Sequence, residues 1–348
     1  MNRIEKHIIK SNLSVREVLT RLDILAADAI LFLVDEDDKL IGALTDGDIR
    51  RGLIKGLGLD DSITKYIEGD PKYFRMTKFS FSEMREWKEK NYKIIPVLDD
   101  KNRIVDIVNF RIQRSYLPID AIIMAGGKGT RLRPLTLETP KPLLNVANKP
   151  IIEYNVERLE SYGIRHLTIS IKYLGKQIVN YFGNNYNETL QINYVTEDEP
   201  LGTIGAVSQI ENFENEYILV MNSDILTNID FEELFGHLVE KGGDMIVATT
   251  PYEVQIPYGV IETTDDQIKA LVEKPTYTYY SNAGIYLFKR KFADLIPKDT
   301  KFNATDLMEI LIQDGSKILH FPIHGYWLDI GKPQDFEKAQ RDIEHIKF

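Results

Sequence analysis

Residues 121–124, all apolar, run straight into Ala125-Gly126-Gly127-Lys128-Gly129-Thr130-Arg131-Leu132-Arg133-Pro134, and no other stretch restricts the fold as tightly. An unbroken apolar run of that length reads as a buried strand. Three glycines within positions 126–129 then let the backbone turn sharply and approach a ligand closely. Unblocked N–H groups in such a turn form a concavity suited to phosphate oxygens. Lys128, Arg131 and Lys141 bring positive charge to it. Two familiar phosphate loops are excluded. Leu132 stands where a dinucleotide fingerprint needs its third glycine, and no Gly-Lys-Ser/Thr follows as in a Walker A loop.

Beyond this turn, strand and helix patterns alternate. A helix is expected from Pro150, with Ile152, Val156 and Leu159 on its apolar side, stopping near Gly163. Then come a strand over 166–171, a helix through Ile178, Val179 and Phe182 to Gly183, a strand over 191–195 and a helix around 205–210. The fully apolar run 217–221, a helix over 231–239 and a strand over 245–249 follow. Such alternation predicts an α/β domain with a doubly wound, mostly parallel sheet. Ligands of these sheets sit at the carboxyl ends of the strands. The glycine turn, Glu197 and Asp224 each follow a strand, so they are expected to meet on one edge. Asp224, in Asn222-Ser223-Asp224, and Asp329, in Trp327-Leu328-Asp329-Ile330-Gly331, suit Mg²⁺, which takes one or two carboxylates plus substrate phosphates. Either alone reads equally as a turn residue. Lys274, in Glu273-Lys274-Pro275, is a surface lysine or, turned into the cleft, a point charge for a second phosphate. Asn282, Glu273 and the backbone at Gly259 suit sugar hydroxyls. The histidines show no metal-ligand spacing.

The first 117 residues have another style, a unit used twice. Ser14-x-x-Glu17 and Ser80-x-x-Glu83 read as capping boxes that open helices. Each is followed by strand, acidic turn and strand: 29–34, the turn at 35–38 and 40–44 in one copy, 94–98, the turn at 99–102 and 104–108 in the other. A boundary is expected near Pro118, which cannot continue a helix.

These residues carry two resemblances. The doubled unit resembles a pair of CBS domains, an α+β module that commonly binds adenosine-type nucleotides and regulates an attached enzyme. The first copy ends Gly42-Ala43-Leu44-Thr45-Asp46-Gly47-Asp48, and the resemblance implies that Thr45 holds phosphate and Asp48 a ribose. Asp48 could equally serve the start of the following helix. The second copy is degenerate, with Asp106, Asn109 and Ile112 in place of the glycine, threonine and aspartate. A pair used only for dimerisation and spacing is the alternative to a nucleotide site.

The rest, over about 118–345, resembles the sugar nucleotidyltransferases, which have a Rossmann-like fold and join a sugar 1-phosphate to a nucleoside triphosphate. The matching pieces are 124–135, Pro140-Lys-Pro-Leu-Leu144, Pro200-Leu-Gly-Thr203, Asn222-Ser-Asp224, Tyr258-Gly-Val-Ile261, Glu273-Lys-Pro275, Asn282-Ala-Gly-Ile-Tyr286 and Trp327-Leu-Asp-Ile-Gly331. The resemblance implies triphosphate contacts from Ala125, Gly126, Gly127, Gly129, Thr130, Gly202 and Thr203, with Arg131 and Lys141 holding the triphosphate and the transition-state charge. It implies Lys274 on the sugar phosphate, Tyr258, Gly259, Glu273 and Asn282 around the sugar, and Asp224 and Asp329 on Mg²⁺. Glu197 stands where the family places a base-reading side chain. A carboxylate only accepts hydrogen bonds, which matches the donor pair of guanine and favours GTP over UTP or dTTP. Asp198 or Glu199 could take that role instead.

The expected organisation is therefore CBS domain 1 at 1–58, CBS domain 2 at 59–117 and the transferase at 118–348. The transferase part is similar to mannose-1-phosphate guanylyltransferases. The order of domains is similar to the glucosamine-1-phosphate guanylyltransferases of bacterial legionaminic acid routes, which places glucosamine 1-phosphate first and mannose 1-phosphate second. A catalytically idle nucleotide sensor is the alternative from another class. A net charge of −10 argues against a nucleic-acid partner. With no cysteine there is no disulfide and no thiol nucleophile. No apolar signal core and no run of about 18 apolar residues point to a cytoplasmic protein off the membrane, expected as a homo-oligomer.

Overall fold

The computed structural model describes residues 4–76, 78–184, 186–187 and 189–346. Contacts divide the chain into two units, residues 1–118 with 161–163, and residues 119–160 with 164–348.

The first unit repeats one design. Strand β1 (Ile8–Lys10), helix α1 (Val15–Leu25), strands β2 (Ile30–Val34) and β3 (Leu40–Thr45) and helix α2 (Asp46–Ile54) make one half. Strand β4 (Phe74–Arg75), helix α3 (Phe81–Glu89) and strands β5 (Ile94–Leu98) and β6 (Ile104–Asn109) make the other. In both, a short strand pairs parallel with the first arm of an antiparallel hairpin. The turns are chemically equivalent. Asp35 Oδ1 accepts from the N–H groups of Asp37 (2.9 Å) and Lys39 (2.8 Å), and Asp99 Oδ1 from those of Lys101 (2.9 Å) and Arg103 (2.8 Å). Asp38 and Asn102 take the left-handed position of each turn, which their short polar side chains tolerate. The halves differ at helix starts and ends. The box at Ser14 and Glu17 is complete. At Ser80 only the bond from Glu83 N–H to Ser80 Oγ forms (3.3 Å), and the Ser80 hydroxyl turns to Ser82 (3.2 Å). Helix α2 follows β3, whereas Asn109 at the end of β6 folds into a turn, its Oδ1 accepting from Arg111 N–H (3.0 Å).

The second unit is built on one seven-stranded sheet. Its elements are β7 (Ile119–Ala125), a small hairpin of β8 (Asn145–Val146) and β9 (Lys149–Pro150), α4 (Ile151–Ser161), β10 (His166–Ile171), α5 (Gly175–Phe182), β11 (Gln191–Thr196), β12 (Tyr217–Asn222), β13 (Ile225–Thr227), α6 (Phe231–Glu240), β14 (Met245–Gln255), β15 (Val260–Thr264), β16 (Gln267–Val272), β17 (Thr276–Lys289), α7 (Ala304–Gln313), β18 (Ile318–Pro322), β19 (Trp327–Asp329) and α8 (Pro333–Asp342). The strand order is β11-β10-β7-β12-β17-β14-β18. All neighbours run parallel except at β17, which is antiparallel to both β12 and β14. The doubly wound, mostly parallel expectation therefore holds with one reversed strand. The central strands β7 and β12 are apolar and buried along nearly their whole length, as helices on both faces require. Helix α4 begins at Ile151 because Pro150 belongs to β9. The helix expected around 205–210 is a single 3₁₀ stretch, Gly205–Gln209.

The largest departure from expectation is at β14. It does not stop near Thr249 but runs on to Gln255, paired with Thr276 on β17. Beyond Thr249 both strands leave the layered core, and with the β15–β16 hairpin they form a ribbon whose residues 251–255 and 276–282 are exposed.

Candidate active site

The glycine turn leaves β7 at the carboxyl edge of the sheet. Gly127, Lys128 and Thr130 are exposed, and Gly129 sits at φ 58°. A Cβ on Gly129 would lie 2.9 Å from Lys141 Cβ and 3.1 Å from the Thr136 methyl, so only glycine fits there. The buried Thr136 hydroxyl donates to Gly129 O (2.8 Å) and holds the turn in shape. A 3₁₀ turn of three residues, Thr130–Leu132, follows. Any phosphate cradle thus rests on loop N–H groups and on side-chain charge rather than on a long helix.

From this turn a ring of neighbours runs through Lys141, Asp224, Asp329 and Arg131. Lys141, 7% exposed, places its ammonium on Asp224 Oδ2. Asp224 follows β12, whose register sets Asn222 beside Met124, and Ser223 N–H donates to Met124 O (3.2 Å). Strand β13 then pairs antiparallel with β19, matching Ile225 to Asp329, and Ile330 N–H donates to Asp224 O (3.0 Å). Gly331 comes next, and a Cβ there would touch the Arg131 guanidinium at 3.4 Å. Arg131 leads back to the glycine turn. Asp329 has one face to solvent. Burial of the other, and then the charge of Asp224, push its carboxyl above the ordinary carboxylate value, while Lys141 and Arg131 pull it down.

A divalent cation fits this arrangement. Asp224 and Asp329, close enough that the charge of Asp224 disfavours the ionised form of Asp329, present oxygen donors of the kind Mg²⁺ takes, beside a loop suited to phosphate. Among the described residues no group of three or more His, Asp or Glu could hold a metal on its own. The remaining ligands would have to come from substrate or water.

Glu197 stands on the other side of the glycine turn. Its N–H donates to Ile171 O (2.9 Å) and fastens it to the end of β10. The residue is 6% exposed, and a Cβ on Gly126 would lie 2.8 Å from its Oε1. Oε2 accepts from Leu201 N–H (2.9 Å), and Oε1 from the hydroxyl of Ser170. Asp198 and Glu199, the other acidic residues of this loop, are exposed. Gly202 is at φ 84°, where a Cβ would meet Phe302 O at 2.6 Å. The Thr203 hydroxyl accepts from Ala304 N–H (2.9 Å) at the start of α7.

The sugar-side candidates are assembled with one another on the ribbon. Lys274 N–H donates to Tyr258 O (3.2 Å), and a Cβ on Gly259 would lie 3.1 Å from Glu273 Oε2. Tyr258 is 74% exposed. No hydrogen bond or ion pair among the described residues ties Tyr258, Glu273 or Lys274 to the ring around Asp224. Asn282 lies at the root of the ribbon, where its Oδ1 accepts from Gly284 N–H (2.9 Å). Trp327 Nε1–H donates to Ala283 O (2.9 Å) and links this root to β19. In the first unit, Asp48 Oδ2 accepts from Thr45 N–H (2.8 Å) and Thr45 Oγ1 (2.6 Å), and Arg51 pairs with its other oxygen. Sequence reasoning passed over Ser170 and Thr136, and named Gly331 in its motif without a role. Ser170 carried a faint signal as the polar residue within the buried stretch 169–171.

Residues 120–346 match the nucleotidyl transferase family and residues 4–55 the CBS domain. A mannose-1-phosphate guanylyltransferase of Mycobacterium tuberculosis is 33% identical over 231 residues, covering 65% of this chain and 64% of that protein. A D-glycero-α-D-manno-heptose 1-phosphate guanylyltransferase of Aneurinibacillus thermoaerophilus is 32% identical over 230 residues, covering 65% of this chain and 99% of that protein. This chain thus spans less than two thirds of the length of the first relative and nearly all of the second. A solved Bacillus anthracis structure, described as a glucose-1-phosphate thymidylyltransferase in complex with a sucrose, superposes with a TM-score of 0.54 at 25% identity, covering 66% of this chain and 97% of that one.

Proposed function

The chain belongs to the nucleotidyl transferase family, and from that footing we propose that it transfers a guanylyl group from GTP to a sugar 1-phosphate, giving a GDP-sugar and pyrophosphate. The observation that carries the base assignment is the buried Glu197 carboxylate against Gly126. Its acceptor oxygens complement the adjacent N1–H and N2–H₂ donors of guanine. Uracil and thymine offer a donor between acceptors and would set two acceptors against a carboxylate. Two guanylyltransferases among the relatives agree with this reading. The thymidylyltransferase neighbour shows that the fold alone does not choose the base.

A phosphate monoester has its second pKa near roughly 6, so the sugar phosphate is already a nucleophile at neutral pH. One of its oxygens attacks the α-phosphorus of GTP, the bond from that phosphorus to the bridging oxygen breaks, and pyrophosphate leaves with the electron pair. No general base is required. The chain must hold two anions in line and neutralise charge as it builds on the leaving group. We assign the triphosphate to the N–H groups of Gly126, Gly127, Gly129 and Thr130, with Ala125, Gly202 and Thr203 bordering it, and the developing charge to Arg131 and Lys141. Lys274 binds the sugar phosphate, and Tyr258, Gly259, Glu273 and Asn282 the sugar. Asp224 and Asp329 would hold Mg²⁺, which supplies charge neutralisation on the phosphates. The CBS unit is assigned a regulatory role through a nucleotide near Thr45 and Asp48.

The test is pyrophosphate release with Mg²⁺, crossing GTP, UTP, dTTP, CTP and ATP against glucosamine-, mannose-, glucose-, N-acetylglucosamine- and D-glycero-α-D-manno-heptose 1-phosphate. Strong turnover with GTP and one sugar supports the reading and names the acceptor, for which glucosamine 1-phosphate is our first choice and mannose 1-phosphate the second. Turnover confined to UTP or dTTP overturns the base assignment. Silence across the grid, repeated with added adenine nucleotides, moves the chain to a nucleotide sensor.

A further inference from the structure

We propose that Ser170 is a positioning residue for base selection, holding the Glu197 carboxylate in the orientation that reads guanine. The inference rests on the guanylyl reading above. Ser170 lies on β10 with no solvent exposure, flanked by the buried Ile169 and Ile171. A hydroxyl in such a layer is costly unless it is hydrogen-bonded, and an alanine would pack there without that cost. The Ser170 Oγ–H donates to Glu197 Oε1, from a residue 27 positions away in the chain. Glu197 Oε2 is held separately, by Leu201 N–H at 2.9 Å.

The two donors come from different elements, a sheet strand and the loop after β11, so the carboxylate plane is fixed from both ends. The terminal torsion of a glutamate is otherwise broad. Each carboxylate oxygen keeps further lone-pair capacity. The pair therefore offers two acceptors side by side, at the spacing that the N1–H and N2–H₂ edge of guanine presents. Gly126 contributes by what it lacks, since a Cβ would sit 2.8 Å from Oε1. With Glu197 only 6% exposed, hydrogen bonds made there are weakly screened by water, and their orientation weighs heavily on affinity.

The experiment compares kcat/KM for GTP and for ITP, whose hypoxanthine keeps N1–H but lacks the 2-amino group. It uses the full chain with Mg²⁺ and the sugar 1-phosphate that the grid above identifies. The ratio of the two values is independent of the fraction of folded enzyme, so a partly unfolded variant still reports. Ser170→Ala should lower the GTP/ITP ratio about tenfold, equivalent to about 1.4 kcal/mol, through KM for GTP and with kcat little changed. Ser170→Thr, which keeps the hydroxyl, should recover most of the ratio. An unchanged ratio in Ser170→Ala overturns the role of Ser170, and so does an equal fall in the alanine and threonine variants, which would assign the effect to packing. Wild-type protein that fails to use GTP overturns the guanylyl reading, whereas equal use of GTP and ITP overturns Glu197 as reader of the 2-amino group; either outcome removes the role of Ser170.

Discussion

Asp224 answers to two partners at once, the Lys141 ammonium on its Oδ2 and the Asp329 carboxyl across the β13–β19 pair. The two aspartates proposed to share a cation therefore differ in what they do for the fold. Removing the charge at Asp224 strands a lysine that is only 7% exposed, and an ion left behind in a packed site is destabilising. Removing it at Asp329 ends a repulsion, because burial and Asp224 already disfavour its ionised form. Asp224→Asn should lower kcat roughly a thousandfold, the effect of losing several kcal/mol of charge stabilisation, and should also lower Tm. Asp329→Asn should lose activity on a similar scale while Tm holds or rises. Steady-state rates beside thermal melts check both. Full activity in either variant would remove that residue from the cation site, and a large fall in Tm for Asp329→Asn would contradict the repulsion.

At the scale of elements, what could be read from the chain followed the strands. The glycine turn, Glu197 and Asp224 were legible because each follows a strand that shows in the sequence, and the sheet collects such ends on one edge. Ser170 was barely legible, since the partner that accounts for its hydroxyl, Glu197, lies 27 residues on, just beyond the end of β11. The length of β14 and β17 was not legible, because exposed stretches such as Tyr277-Thr278-Tyr279-Tyr280 have no buried face to print a periodicity. The start of α2 shows the helix-start sense in the fold. Asp48 was read as a ribose acceptor or a helix-start residue, and in the fold its carboxylate takes two bonds from Thr45 and one from Arg51. A ribose would have to share or replace these donors. Asp48→Ala should therefore cost about 1 kcal/mol of stability through the lost cap and abolish binding of AMP to the full chain. AMP is the useful probe, because the proposed guanine-reading site would not hold it. Calorimetry showing equal AMP binding in wild type and Asp48→Ala would leave the carboxylate a structural cap alone.

The whole second unit divides its labour between the two ends of one sheet. At the carboxyl end, the charged groups Lys141, Asp224, Glu197 and Asp329 converge and the strands open into loop and ribbon. At the amino end, polar groups knit the strands together. Asp120, buried at the start of β7, accepts from Asn215 N–H (2.8 Å) and its side-chain amide (3.2 Å). Asp244, just before β14, accepts from Lys317 N–H (3.1 Å) at the start of β18 and from the Lys289 ammonium (3.0 Å) at the end of β17. Neither was singled out from the sequence, where each is one acid among 53 acidic residues and nothing marks its distant partner. They respond to pH in opposite directions. Burial raises the Asp120 carboxyl, so its ionisation subtracts from stability as pH rises above the unfolded value. The Lys317 N–H bond, together with Lys289 and Lys291, lowers that of Asp244. Its folded form stays ionised at a pH where the unfolded form takes up a proton. Its contribution is complete above the unfolded pKa of about 3.9 and is lost as pH falls through the lowered folded value. Asp244→Asn should then be less stable than wild type by roughly 1–2 kcal/mol at pH 7, allowing for its partial exposure. The gap between the two melting curves should close as pH drops below about 4, and the variant should keep its kcat, because the substitution lies at the sheet end away from Lys141, Asp224 and Arg131. Melts across pH 7 to 3 with rates at pH 7 test this. A gap that stays constant with pH would show that Asp244 clips the three strands by geometry alone, and a fall in kcat at pH 7 would show that the two ends of the sheet are coupled.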